Sequence, residues 1–212
     1  MYLANRRSIA GHIAASAGLA WLTAFIGAQP LAAQGPAPQA PAAQSAPTPE
    51  QPVPPAPPAQ GAQWKTYSFP ADGFSASFPF EPVQQKQSVQ TGAGAFELRT
   101  YVAANPSVAL YIGVCDYGAA AQGSDPDAVL EGAKNGAVSN VSGHLISSKR
   151  IMLGTYPGVA FEADSQGSHF FGRIYLAGTM LYQVFVAVQP GQTYPETARF
   201  LDSFQLIPRP SQ

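Results

Sequence analysis

The chain has 212 residues, 11 Lys and Arg against 12 Asp and Glu, a formal net charge of −1 and a single cysteine. A near-neutral chain offers no basic stripe for a phosphate backbone and no polybasic patch for a membrane surface, so nucleic acid is excluded as a partner. The lone thiol, Cys115, rules out an internal disulfide and falls inside the apolar run LYIGVCDY, where it reads as buried and inert.

Residues 1–33 have the parts of an export signal. Arg6 and Arg7 form a positive start, Ile9 to Ala28 is apolar and alanine-rich, and Ala32–Ala33 precedes Gln34 as a cleavage site, with Ala28 as a second candidate. Arg6–Arg7 followed by Ser8 resembles the core of a twin-arginine signal. The expectation is a periplasmic or secreted protein with no membrane insertion after cleavage. The alternative is an inner-membrane anchor through an uncleaved signal, since the apolar run is about as long as a membrane span. Residues 34–63 are almost entirely Pro, Ala and Gln. Such a segment cannot bury enough apolar surface to offset ordering entropy, and its prolines favour an extended spacer.

From Trp64 the composition changes, and residues 64–208 read as a single domain with a tail at 209–212. WKTYSF alternates and stops at Pro70; Asp72–Gly73 marks a turn; FSASFP sets Phe74, Ala76 and Phe78 on one face of a strand. PVQQKQSVQ is a polar edge strand guarded by Lys86, and TGAG turns into AFELRTYV. There Phe96, Leu98 and Val102 face one way, and Glu97, Arg99 and Tyr101 the other. SVALYIGVCDY is apolar on both faces and reads as a central strand. A helix follows, capped by Ser124 or Asp125 with Pro126 in its first turn and Leu130, Ala133 and Ala137 toward a sheet. Its Gly132 and Gly136 each cost about 1 kcal/mol against Ala, so it needs that sheet.

HLISSKRIML reads as a strand, TYPG as a turn, and VAFEAD, HFFGRIYLAG and MLYQVFVAV as an antiparallel meander. A last helix over YPETARFLDSF is expected, with Thr193 as cap, Pro195 in the first turn, and Ala198, Leu201 and Phe204 facing the sheet beside Phe200. Strands, a helix, strands and a helix make an α+β domain, an antiparallel sheet with helices packed on it.

Catalytic motifs are sparse. His144 and His169 are the only histidines beyond the signal, and no G-x-S-x-G elbow is present. Ser168 and His169 are adjacent and point to opposite faces in a strand. Neither H-x-x-x-H nor C-x-x-C spacing occurs, so no metal ligands and no cofactor are expected. Glu162 and Asp164 share one strand face. The tyrosines at 67, 101, 111, 175 and 182 either line a ligand groove on the sheet face away from the helices or pack the core. The candidate ligand-binding set is Tyr101, His169, Arg173 and Tyr175, with no catalytic set.

FSASFPFEP, GTYPGVAFEAD, GRIYLAGTMLYQV and RFLDSFQL, in that order over about residues 64–207, resemble the Mog1/PsbP-like group, in particular its small exported bacterial domains. The resemblance implies an α-β-α sandwich around an antiparallel sheet. It also implies a binding or assembly role, since the group includes accessory subunits of photosystem II and a Ran-binding protein; neither specific role carries over. The expected function is an exported, non-catalytic binding or assembly-accessory domain of the bacterial envelope, its partner an envelope protein or a small ligand, its oligomeric state open. The alternatives are a periplasmic hydrolase using His169 and a small-ligand carrier using an aromatic sheet face.

Overall fold

The computed structural model describes residues 63–91 and 94–209. The expected signal, all but the last residue of the proline-rich segment, the middle of the TGAG turn and residues 210–212 lie outside that range.

The described chain runs β1 (Lys65–Phe69), β2 (Phe74–Phe78), β3 (Val83–Thr91), β4 (Gly94–Ala104), β5 (Val108–Asp116), α1 (Pro126–Asn140), β6 (His144–Leu153), β7 (Tyr156–Asp164), β8 (His169–Ala177), β9 (Met180–Val188), α2 (Thr197–Ser203) and β10 (Gln205–Leu206). Seven strands form one antiparallel sheet in the order β3-β4-β5-β9-β8-β7-β6, and β1-β2-β10 form a smaller one. The doubly apolar β5 lies between β4 and β9, and the polar β3 closes one edge, as their sequences predict. From β5 the chain crosses the sheet as α1 to its far edge, then returns strand by strand until β9 pairs with β5. The fold is α+β.

Each face of the large sheet has its own core. On one face Leu98, Tyr111, Cys115, Val159, Phe161, Ile174, Leu181 and Phe185 pack with Val129, Leu130 and Ala133 of α1. Burial pushes the Cys115 thiol up to about 11, which keeps it protonated and inert. On the other face Tyr101, Leu110, Ile112, Tyr175, Tyr182 and Val184 pack with Phe74 and Phe78 of the small sheet, with Phe200 and Leu201 of α2 and with its C-cap Phe204. The layer opposite α1 is therefore shared between a short helix and a small sheet.

Local chemistry explains most boundaries. Asp125 is the N-cap of α1, its carboxylate accepting from the Asp127 N–H at 3.1 Å, with Pro126 next. Two predicted boundaries differ. The turn before β7 is Gly154–Thr155, with Gly154 at φ 60°, and Pro157 already lies in the strand. Pairing of β7 with β8 begins only at Gly158, so Pro157 has one strand neighbour, from β6, and no missing donor on the other side. The last helix starts at Thr197 rather than after Thr193, and Ala198 is exposed. In so short a helix the stripe of largest side chains, Phe200, Leu201 and Phe204, decides the buried face.

Three glycines inside strands sit under aromatic rings: Gly113 under Tyr111, Gly158 under its cross-strand partner Tyr175, and Gly172 under its partner Phe161. A Cβ on Gly158 would lie 2.6 Å from the Tyr175 ring and 2.7 Å from the Ile174 carbonyl oxygen. Gly158→Ala is expected to destabilise the fold by about 1–3 kcal/mol through this overpacking. Gly167→Ala, where nothing lies within 4 Å, should stay within about 0.5 kcal/mol; urea unfolding of both variants compares them directly. A second expectation concerns pH. Burial holds the Tyr101, Tyr111, Tyr117 and Tyr182 phenols above their ordinary 10.0. Above about pH 10 the unfolded chain releases phenolic protons that the folded chain keeps, so stability falls as pH rises. Tyrosinate absorbance should therefore rise in two phases, the exposed tyrosines such as Tyr156 first and the buried ones only together with loss of circular dichroism.

Candidate functional site

Strand β8 sets His169, Phe171, Arg173 and Tyr175 on the face opposite α1, because alternate residues share a face. Register then places Glu162 of β7 opposite Phe171, and Asp164 opposite His169. The outcome is a histidine between two acids. His169 Nε2 lies 2.9 Å from Glu162 Oε1, and His169 Nδ1 contacts Asp164 Oδ1. Its ring stands edge-on to Phe171 at 4.6 Å between centroids.

Beside this trio runs an open groove of about 490 Å³, lined by Ser147 and Lys149 of β6, Glu162 of β7, Phe171 and Arg173 of β8, and Leu201 of α2. The groove exists because α2 and the small sheet cover β4, β5, β9 and β8, while of β6 only Ile151 and Leu153 pack against that core. Arg173 forms its inner wall: Nη1 donates to the Leu201 carbonyl at 3.2 Å and Nη2 to Asp202 Oδ1 at 2.6 Å. On the outer wall, Lys149 is exposed and has no ion pair among the described residues. Four large apolar side chains stand exposed on and beside β6: Leu145 at 44%, Ile146 at 52%, Met152 at 60% and Tyr156 at 41%.

Of the candidate ligand-binding residues, the groove brings together Arg173 and, next to Glu162 at its end, His169. Tyr175 lies under α2, stacked on Phe204 at 5.7 Å with the planes 2° apart, and burial raises its phenol. Tyr101 lies three strands away from β8 and is 2% exposed. No sheet face is free of helices: Tyr101, Tyr175 and Tyr182 are core on one side and Tyr111 on the other, because both faces carry a layer.

A serine hydrolase needs one imidazole nitrogen facing the nucleophile and the other facing a carboxylate. Here both face carboxylates, and the ring can donate to both only as imidazolium. Ser168, the adjacent hydroxyl, donates instead to the Gly167 carbonyl at 2.7 Å. Among the described residues no group of three or more His, Cys, Asp or Glu is arranged to hold a metal ion.

A second ionic cluster was hidden in the sequence. Asp72, which reads as plain turn chemistry, is 2% exposed. Its carboxylate pairs with Arg99 Nε and accepts from the Tyr101 hydroxyl. Gln84 Nε2 donates to the same Tyr101 oxygen at 3.1 Å, and the Tyr182 hydroxyl donates to the Asp72 carbonyl at 2.8 Å. The only available hint was Arg99 and Tyr101 at i and i+2 on one strand face; nothing local identifies their partner. The cluster clamps the β1–β2 turn to the large sheet. Asp72→Ala leaves Tyr101 without its acceptor and Arg99 with Glu97 alone, and is expected to lower stability by about 3 kcal/mol, more than the roughly 1–3 kcal/mol of Tyr101→Phe. Urea titration decides this; near-wild-type stability of Asp72→Ala would show that the clamp carries little.

No protein-family model matches the chain, and no curated protein matches it significantly. Among solved structures it is similar to the solution structure of cyanobacterial PsbP (CyanoP) from Synechocystis sp. PCC 6803. The TM-score is 0.45 and the identity 13%, over 71% of this chain and 96% of that one.

Proposed function

We propose that this chain is an exported, non-catalytic binding or assembly-accessory domain of the bacterial envelope, and that it docks a partner on the flank formed by β6, β7 and their groove. The observation that carries this reading is the concentration of exposed apolar side chains at that flank. Leu145, Ile146 and Met152 of β6 and Tyr156 of β7 stand exposed along this edge, and the groove on the face opposite α1 combines Phe171 with the cations Lys149 and Arg173. Several large apolar side chains exposed along one sheet edge mark an interaction surface. The export signal and the proline-rich spacer read from the sequence fit a domain held out toward a partner. Among the described residues no helix is long and apolar enough to cross a membrane. The hydrolase alternative gains no support from His169, whose two ring nitrogens are both taken up by acids.

A photo-crosslinking amino acid placed in the full chain at Ile146 or Met152 should give a discrete adduct in the envelope fraction. The same residue at the exposed Gln85 of β3 should give none. Identical patterns at all three positions, or no adduct at the flank, would remove the basis for this reading.

A further inference from the structure

We infer that the outer edge of β6 accepts an extended segment of a partner protein as an additional strand, and that this segment carries an acidic side chain opposite Lys149 between apolar residues. The inference rests on the reading of the β6 flank as a docking surface and specifies how docking occurs.

Among the described residues, strand β6 ends the large sheet and pairs only with β7. Its register is regular from Ser147 opposite Glu162 to Leu153 opposite Tyr156, with an irregularity between Leu145 and Ser147. Along that run alternate backbone N–H and C=O groups point away from β7, as they do on any edge strand. The opposite edge, β3, carries one charge, Lys86, among glutamines and has fewer large apolar side chains to bury. On β6 the exposed Met152, Leu145 and Ile146 bracket the polar centre Ser147-Ser148-Lys149-Arg150. A strand added here would gain main-chain bonds and bury apolar area at both ends.

Charge selects the occupant. In a two-fold pairing with a second copy, the register that overlaps all of Ser147 to Leu153 sets Arg150 opposite itself. Moving the centre by one residue sets Lys149 opposite itself. Like charges directly across a ladder are destabilising. The chain's own segment 34–62 lacks a backbone donor at each of its many prolines, and its one charged residue, Glu50, lies between Pro49 and Pro52. A separate chain meets neither obstacle. Arg150, on the α1 side, is already paired with Asp127. Lys149, on the groove side, has no ion pair among the described residues, and the nearby acid Glu162 is engaged by His169. The vacant electrostatic partner is thus a carboxylate on the groove side, with uncharged residues facing Arg150 and Met152.

Selection of a random displayed decapeptide library on the full chain tests this. Enriched peptides should alternate apolar residues around Asp or Glu and slow amide hydrogen exchange along Ser147–Leu153. They should lose binding when alternate peptide amides are N-methylated. Lys149→Glu, a surface change checked for fold by circular dichroism, should weaken the acidic peptides about tenfold and favour basic ones. Failure to enrich any peptide overturns the inference, as does protection elsewhere, indifference to the charge at Lys149, or self-association that protects β6 without peptide. If crosslinks form at Ile146 and Met152 while the β6 amides stay unprotected, this inference falls and the docking reading stands. If both are missing, both fall.

Discussion

The two central strands of the large sheet have to be dry on both faces. Leu110, Ile112 and Val114 of β5 point to one side and Tyr111 and Cys115 to the other, and all are buried. A pleated sheet cannot satisfy that demand alone, since each face needs its own cover. Helix α1 supplies one cover, and the small sheet with α2 supplies the other. Chain economy then settles the path. A single crossover carries α1 across one face, and the meander that follows brings β9 back to pair with β5.

The same constraint leaves a gap. Helix α1 lies over β7, β8 and β6, whereas α2 and the small sheet are centred on β5 and β9, so on the face opposite α1 protection thins toward the β6 edge. At the β3 edge the sequence turns mostly polar, with Val83 the exposed apolar exception. At the β6 edge the chain keeps Leu145, Ile146 and Met152 exposed, and on one face the layer ends at Leu201. The groove and the bare edge arise together, from an asymmetric third layer that is too small for a sheet of seven strands.

The two ionic clusters show what position does to similar groups. Asp72 is buried, so its carboxylate is held by Arg99 and Tyr101 inside a low-dielectric setting, where removing one partner is expensive. His169 lies nearer water with Glu162 and the exposed Asp164, where solvent screens the charges and the energetic worth is small. The buried cluster therefore acts as a structural clamp, and the exposed one dresses the rim of a surface.

Much of the fold was legible before any coordinates. Alternation marked the strands, the doubly apolar run at 108–116 marked the centre, and Asp125–Pro126 marked the start of α1, because strand period, burial and capping are local rules. The groove-side residues of β8 could also be sorted by face, which is why Arg173 and His169 were candidates. Partnership across strands was not legible. That Asp72 meets Arg99, that Glu162 and Asp164 flank His169, and that Tyr101 and Tyr175 are covered all depend on strand order and register. These are set by long-range packing rather than by neighbouring residues. The sequence determined which segments become strands and helices and which of their faces are apolar. Only the tertiary structure decided which apolar faces find a cover, because covering a face takes a second element from elsewhere in the chain.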